Sequence, residues 1–597
     1  MTNSEDMLLV GGMPVPSVVL FSDENTFGMS LGIIFLGTYL RKFNYSVDVF
    51  DPIIYYSKMY KKRKQAIPRK LTNIQRKKYT DSILELTHDR LKQILREKKF
   101  KIIGVSTSSL IDLDLRNMSI VREMQPDSLI IAGGPGLSLR PENVLAISEA
   151  DIVVIGEGEI ICKTLLDRIK KHDLKYPISK DDYDKYFSDI PFITCKVIEK
   201  NGINIYTSIA NKDDYVKKYL PEVNKLPLPD FKLLDAHLKE HTQFMYTNRS
   251  CPSLCTFCSM ASLKKKMSHD CGFGINTLMK RWMEPEKVID WIIFLYNNCN
   301  NLRDISFNED TFTYPIERAK RICKLIIKNK KSGKIGNDVT FFCQTRSNLI
   351  DEELLHLMKE AGFTQISYGA ESGSNDMLKC IRKGFTTNDT LNAIDMTLES
   401  GLMPSINLIL FLPKSKIHDC IKTIELAMYC YENGAILETN DIIVPYYGTD
   451  IEMKYRNGNN IINNKIIGKT VFVISDDKKS EINLRNDGIL LPERDEMHKV
   501  YNIYAKEKKK VLEKFFNDTT QWFTGWELIS LSSIGILIYS LEKIIRERKT
   551  QNMFDNEMKN LKLRYNHIIE QQKEISSDFW YFSLNGKIVG LDKKKQI

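Results

Sequence analysis

The sequence predicts an α/β protein: two successive blocks of parallel strand-helix repeats, joined by a linker and followed by a mainly helical region. Three observations predict it. Short apolar runs alternate with amphipathic stretches of helical period, small or polar residues close each run, and the pattern pauses around LPLPD (226–230) before starting again. Such alternation belongs to βα repeats and a parallel sheet. A chain of 597 residues is too long for one core. The expected units are 1–170, a linker over 171–242, then 243–450 and 451–597. With 43% hydrophobic and 27% charged residues the composition is that of a folded globular chain.

In the first block the strands are read at 47–53 (VDVFDPI), 102–110 (IIGVSTSSL), 128–137 (SLIIAGGPGL) and 150–159 (ADIVVIGEGE), with helices at 30–43 and 116–124 between them. The architecture is doubly wound. Ligands of such sheets sit at the C-terminal strand ends, and glycines there let a large ligand approach the backbone closely. The strand ends hold Ser106, Thr107, Ser108, Leu110, Gly133, Gly134, Pro135, Gly156, Glu157 and Gly158. Taken alone, the same glycines also suit a flavodoxin-like sheet with ordinary tight turns.

Cysteine placement is the sharpest signal. Of twelve cysteines none precedes Cys162 and none follows Cys430, which is no disulfide framework. Three of them cluster in YTNRSCPSLCTFCSM (246–260), spaced C-x3-C-x2-C. Three thiolates from Cys251, Cys255 and Cys258 can hold three corners of an iron–sulfur cubane and leave one iron open. By spacing alone a zinc knot or three core thiols also fit, although structural zinc wants a fourth ligand. Cys271 and His269 are isolated candidates for it.

The second block continues with 304–314 (DISFNEDTFTY), 341–348 (FFCQTRSN), a helix at 351–361, 365–374 (QISYGAESGS), 406–413 (INLILFLP) and 441–449 (DIIVPYYGT). Asn308, Glu309, Asp310, Gln344, Arg346, Glu371 and Ser372 fall near strand ends and together suggest one mouth, with Asn407 early in its run. Singly, each is as well explained by a helix cap or solvated loop. Cys343 and Cys380 read as small core hydrophobes.

Beyond 450 a stretch rich in Asn, Lys and Ile leads into helical periodicity at 496–516 and 526–546, then a charged helix to about 573. Trp522, Phe523, Trp526 and Trp580 are candidate pocket lining, with core packing the plainer alternative. The apolar stretch 526–541 carries Glu527 and several serines and is shorter than the roughly 18 residues a bilayer span needs. The N-terminus carries acids where an export signal carries bases, so a cytoplasmic protein is expected. The +10 net charge, from 86 Lys+Arg against 76 Asp+Glu, is spread in short lysine runs without interleaved aromatics. That is a solvated surface rather than a nucleic-acid site.

The cysteine segment, with Phe257 before its last Cys, resembles the signature of the radical S-adenosylmethionine (SAM) superfamily, and the strands after it resemble that family's barrel. The order GVS, GGP, GEGE and then the cysteines resembles its cobalamin-binding subfamily, over Leu8 to about Gly448. The resemblance implies an N-terminal Rossmann-like cobalamin-binding domain, a partial (β/α)6 TIM-like barrel and a helical C-terminal region. It implies a 4Fe-4S cluster on Cys251, Cys255 and Cys258. It also implies SAM contacts from Phe257, Asp310, Gln344, Arg346, Glu371, Ser372 and Asn407, and cobalamin contacts from Ser106 to Ser108, Leu110, Gly133 to Pro135 and Gly156 to Gly158.

The chemistry so implied is reductive cleavage of SAM and hydrogen abstraction from substrate. Methyl transfer through cobalamin then follows, on an unactivated carbon or phosphorus centre of a natural product, peptide or lipid, with electrons from a flavodoxin or ferredoxin. The D-x-H-x-x-G cobalt-ligating motif of other corrinoid proteins is absent: 112–117 reads DLDLRN. The floor under the cobalt is then expected from the loop around Leu110. A non-methylating radical cyclase or rearrangement enzyme is the rival within the class, and a zinc-stabilised binding module the rival outside it.

Overall fold

The computed structural model describes residues 4–11, 30–64, 73–107, 111–135, 137–199, 202–208, 215–233, 242–299, 301–443, 445–446, 448–455, 461–463, 487–490, 492, 494–517, 525–547, 551–575 and 578–592. Its first sheet has seven strands in the order β2-β1-β3-β4-β5-β6-β7. These are β1 (Ser4–Val10), β2 (Val47–Phe50), β3 (Lys99–Ser106), β4 (Leu129–Gly133), β5 (Ile152–Val154), β6 (Ile193–Glu199) and β7 (Gly202–Ser208). The first five pair in parallel. Met7, Leu9, Ile102, Ile131 and Val154 face one buried layer, whereas Leu8, Val10, Ile103, Val105, Ile130 and Ala132 face the other. Successive strand residues point to opposite faces, so a sheet covered on both sides needs unbroken apolar runs.

β6 and β7 pair antiparallel and extend this sheet from within the segment expected to be a linker. β1, a short apolar run behind acidic residues, also stands outside the four strands read from the sequence.

The second sheet has six strands in chain order, β8 (Thr242–Met245), β9 (Asp304–Phe307), β10 (Thr340–Thr345), β11 (Phe363–Glu371), β12 (Met403–Phe411) and β13 (Ile436–Ile442). Every neighbouring pair is parallel, which makes a partial barrel. The last strand lies earlier than the expected 441–449: Pro445 supplies no amide hydrogen and Gly448 turns at φ +76°, so the ladder ends at Ile442.

Phe35, on helix Leu31–Arg41 against the first sheet, meets Trp291, on helix Pro285–Asn298 against the second, edge to face at 5.5 Å. One apolar core therefore runs through both sheets.

Helices Asp495–Asn517, Gly525–Glu547 and Gln551–Ile575 precede a hairpin of Asp578–Ser583 with Lys587–Asp592. They cover the open edge of the barrel. Tyr501 and Tyr504 pack on Phe411 at 5.3 and 5.1 Å, and Ser530 Oγ accepts from the Thr439 amide at 3.2 Å. Trp522, Phe523 and the side chains of Trp526 and Trp580 lie outside the described residues. Among the described residues no helix is long and apolar enough to cross a membrane.

Candidate active site

The thiol loop leaves β8 through a set of buried hydrogen bonds. Thr247 donates its hydroxyl to Glu309 Oε1 at 2.6 Å and accepts from Arg318 Nη2 at 2.8 Å. Asn248 donates to the carbonyls of Thr311 (3.2 Å) and Tyr314 (3.0 Å) and accepts from the Ser250 amide and hydroxyl at 2.8 and 2.6 Å. Burial raises the Glu309 carboxyl, with Arg318 and Thr247 pulling the other way, and the same burial lowers Arg318 to about 10. The loop is thereby fixed to the end of β9 before the first cysteine.

Cys251, Cys255 and Cys258 are free thiols. Cys258 sits at the N-terminal end of helix Ser259–Cys271, and its thiol is pushed up to about 11. Burial is the main cause and the charges of Asp310 and Cys255 add to it, against the amides of Ala261 and Met260. Thr311 Oγ1 lies 3.4 Å from Cys251 Sγ, and Arg346 Nη1 lies 3.8 Å from Cys255 Sγ. Lys264, on the following helix, donates to the Cys251 carbonyl at 3.1 Å. The donor set, three soft sulfurs with hydrogen-bond donors behind them, suits an iron–sulfur cubane. Among the described residues no three His, Cys, Asp or Glu side chains converge as a single ion requires.

The other expected contacts are distributed unevenly. Phe257 packs against the cluster of Met377, Ile381, Leu412 and Ile443, with Lys383 Nζ 5.9 Å from its ring. Asp310 opens onto a cavity while protein surrounds most of its carboxyl, which burial raises against the pull of Lys264. Gln344 donates to the Asn308 carbonyl at 3.3 Å. Glu371, at φ +67°, is held by Lys383 at 2.7 Å. Ser372 is buried against Thr423 Oγ1 at 3.0 Å. Asn407 lies in mid-strand and donates to Ser367 Oγ at 2.8 Å. Cys343 is buried in β10, and burial holds its thiol well above the ordinary range.

A cavity of about 650 Å³ separates the two sheets at their C-terminal ends. One wall is Ser106, Thr107, Gly133, Gly134, Pro135 and Gly156 to Glu159; the other includes Tyr246, Met260, Lys264, Met267 and Asp310. Ser108 and Leu110 lie outside the described residues, and so does the floor expected around Leu110. Gly134 has φ +111°, and a Cβ on it would stand 2.5 Å from the Thr107 carbonyl oxygen, so the loops interlock through bare backbone. A Cβ on Gly133 would meet only the Val154 carbonyl, at 3.7 Å. That open backbone shelf, over a largely apolar volume, fits the flat face of a cobalamin.

Glu157 does something the sequence did not suggest. It pairs with Arg281 (Nη2–Oε2 3.0 Å) and Arg249, while Arg249 also reaches Glu159 at 2.5 Å. Burial lowers Arg281 to about 10. The GEGE loop is thus bolted to the segments flanking the thiol loop. Arg249, Arg281, Lys264 and Lys383 carry no motif that would have marked them.

Fold and site together define a two-sheet α/β enzyme with a three-thiol loop and a glycine-lined cavity between its sheets. Residues 245–427 match the radical SAM superfamily. An uncharacterized methyltransferase of Pyrococcus horikoshii is 26% identical over 397 residues, 64% of this chain and 76% of that protein. The radical SAM methyltransferase TsrM of Kitasatospora setae, solved with cobalamin and a [4Fe-4S] cluster, superposes with a TM-score of 0.56 at 15% identity, covering 78% of this chain and 82% of that one. The cobalamin-dependent SAM radical enzyme OxsB, solved with aqua-cobalamin and SAM, gives 0.52 at 15% identity over 94% and 84%. At these identities the solved structures speak for the fold.

Proposed function

We propose that the chain is a cobalamin-dependent radical SAM methyltransferase acting on an unactivated carbon or phosphorus centre of a small natural product, peptide or lipid. The single observation that carries the reading is the cavity whose walls are the glycine loops on one side and Asp310 with the helix behind the thiol loop on the other. The methyltransferase name of the Pyrococcus relative and the cobalamin of the superposed enzymes support it. When bound, the cluster supplies the electron that cleaves SAM, and cobalamin carries the methyl group.

The chain's own residues bind, orient and exclude water. Cys251, Cys255 and Cys258 are the cluster ligands. Gly133, Gly134 and Gly156 present backbone to the corrin face, with Ser138 donating to the Gly134 carbonyl at 3.0 Å and accepting from the Gly156 amide at 3.1 Å to keep the loops in line. Asp310, Gln344 and Glu371 stand at the barrel mouth for SAM, where fixed positions convert encounter into reaction. The setting is the cytoplasm, with a flavodoxin or ferredoxin as electron donor.

The test is anaerobic reconstitution of the full chain, then incubation with SAM and dithionite with and without cobalamin. Methyl transfer predicts S-adenosylhomocysteine only when cobalamin is present. Cleavage of SAM to 5′-deoxyadenosine with no S-adenosylhomocysteine would assign non-methylating radical chemistry instead.

A further inference from the structure

Several buried cations in this molecule have carboxylates. Arg281 has Glu157, Arg122 has Asp151 at 2.7 Å, Lys383 has Glu371 at 2.7 Å, and Arg318 stands against Glu309. Arg346 is different. It is 6% exposed, gives Nη2 to the Lys383 carbonyl, lies over Phe385 at 5.1 Å and directs Nη1 at Cys255 Sγ at 3.8 Å. Among the described residues no carboxylate pairs with it, since Glu371 at the next strand end is taken by Lys383. A guanidinium removed from water without an anion is strongly disfavoured, so the site calls for negative charge at the sulfur it faces.

The three sulfurs are also not equivalent. Cys251 Sγ faces the neutral hydroxyl of Thr311, which also lies 2.7 Å from the Asp310 carbonyl, and Cys258 faces the amides of Ala261 and Met260. Lys264 gives its charge to the Cys251 carbonyl rather than to the sulfur, so among the described residues only Cys255 has a full positive charge directed at its Sγ.

We infer that Arg346 is the counter-charge of the cluster and sets its reduction potential through Cys255, an inference that rests on reading the three thiols as cluster ligands. One-electron reduction by an external donor adds one negative charge to the cluster while the guanidinium keeps its proton. A fixed cation beside a ligand sulfur favours the reduced state over the oxidised one, because attraction grows with the added charge. Thr311 acts in the same direction and more weakly, as a dipole that shares its hydrogen with a carbonyl. Arg346 is on this view a positioning and tuning residue rather than a SAM contact.

The experiment is an EPR-monitored potentiometric titration of the reconstituted full chain, with dithionite as reductant and iron and sulfide measured in every sample. Arg346→Met is expected to make reduction about tenfold less favourable, a midpoint lower by about 59 mV for one electron. Arg346→Lys is expected to recover most of that shift, and Thr311→Val to lower the midpoint by a smaller step. A fully loaded Arg346→Met with the parent midpoint overturns the inference and leaves the cluster intact as a reading. A parent chain that takes up no iron and sulfide overturns the cluster reading itself. Where Arg346→Met does not load, Arg346→Lys decides: loading near the parent midpoint supports charge as the cause, and failure to load overturns it.

Discussion

The two sheets meet the same cavity with opposite chemistry. At the ends of β3, β4 and β5 the chain presents backbone to it, through Gly133, Gly134 and Gly156, whereas the barrel presents side chains such as Asp310 and Lys264, and its strand ends also carry the thiols, Arg346 and the Lys383–Glu371 pair. A broad, flat ligand is held by shape, which asks for glycine and apolar surface. A small charged assembly is held by ligand bonds and by balanced charge, which asks for soft sulfur and fixed cations. Glu157 breaks the pattern on the glycine side, and it faces the barrel's arginines rather than solvent.

The largest effect expected from this contrast lies on the side-chain wall. Replacing Cys251, Cys255 or Cys258 by alanine should reduce both iron content and SAM cleavage by more than about 100-fold, beyond the 10- to 100-fold typical of groups behind a metal ligand. Retention of a full cluster in any of the three variants would remove the contrast at its root. Next comes the bolt between the walls. Arg281→Ala leaves Glu157 and the Pro221 carbonyl without their shared donor and should cost about 3 to 5 kcal/mol, read from urea midpoints. Because Arg249 also reaches Glu157, an Arg249/Arg281 double-mutant cycle should be clearly non-additive.

On the backbone wall two adjacent glycines should behave differently. Gly134→Ala forces an L side chain to φ +111° against the Thr107 carbonyl and should cost about 1 to 3 kcal/mol. Gly133→Ala meets only open space and one carbonyl at 3.7 Å, so stability should hold within about 0.5 kcal/mol while cobalamin uptake weakens. Equal losses of stability in the two variants would mean that Gly133 serves the fold and not a ligand.

A pH-dependent effect comes from a carboxyl on the first sheet's side of the comparison. Asp51, just after β2, accepts the amides of Ser30 (2.8 Å) and Ile53 (2.9 Å), and burial raises it from 3.8 to about 6. The folded state then holds this proton more tightly than the unfolded chain does. Its contribution therefore favours folding as pH falls from about 6 toward 4 and is lost as pH rises through that window, by up to about 3 kcal/mol. Asp51→Asn should flatten that slope in pH-dependent urea melts; an unchanged slope would assign it to other carboxylates.

How much of this was legible follows from what each feature depends on. The strands β3 to β5 announce themselves because burial on both faces demands apolar runs. β7 does not: it pairs only with β6, and its Ile203 is 62% exposed, so it reads as part of a linker. β13 was placed late because IIV (442–444) is the most apolar stretch there, while ILETNDI is accommodated under Tyr504 and Ser530 of the C-terminal helices. At the site, the cysteines were legible because their spacing is local. Ser372 shared a strand end with Glu371, yet it turns into Thr423.

What the sequence determined by itself was the list of chemistries: three thiols in one loop, glycines at strand ends, two blocks of βα repeats. Spacing and periodicity are local properties, and local properties survive in one dimension. Tertiary structure alone decided the charge pairing. Arg249 and Arg281 find Glu157 across 92 and 124 residues, and Arg346 finds Cys255 across 91. Electrostatic energy depends on distance and burial, and neither is defined until the two sheets have closed on a common core.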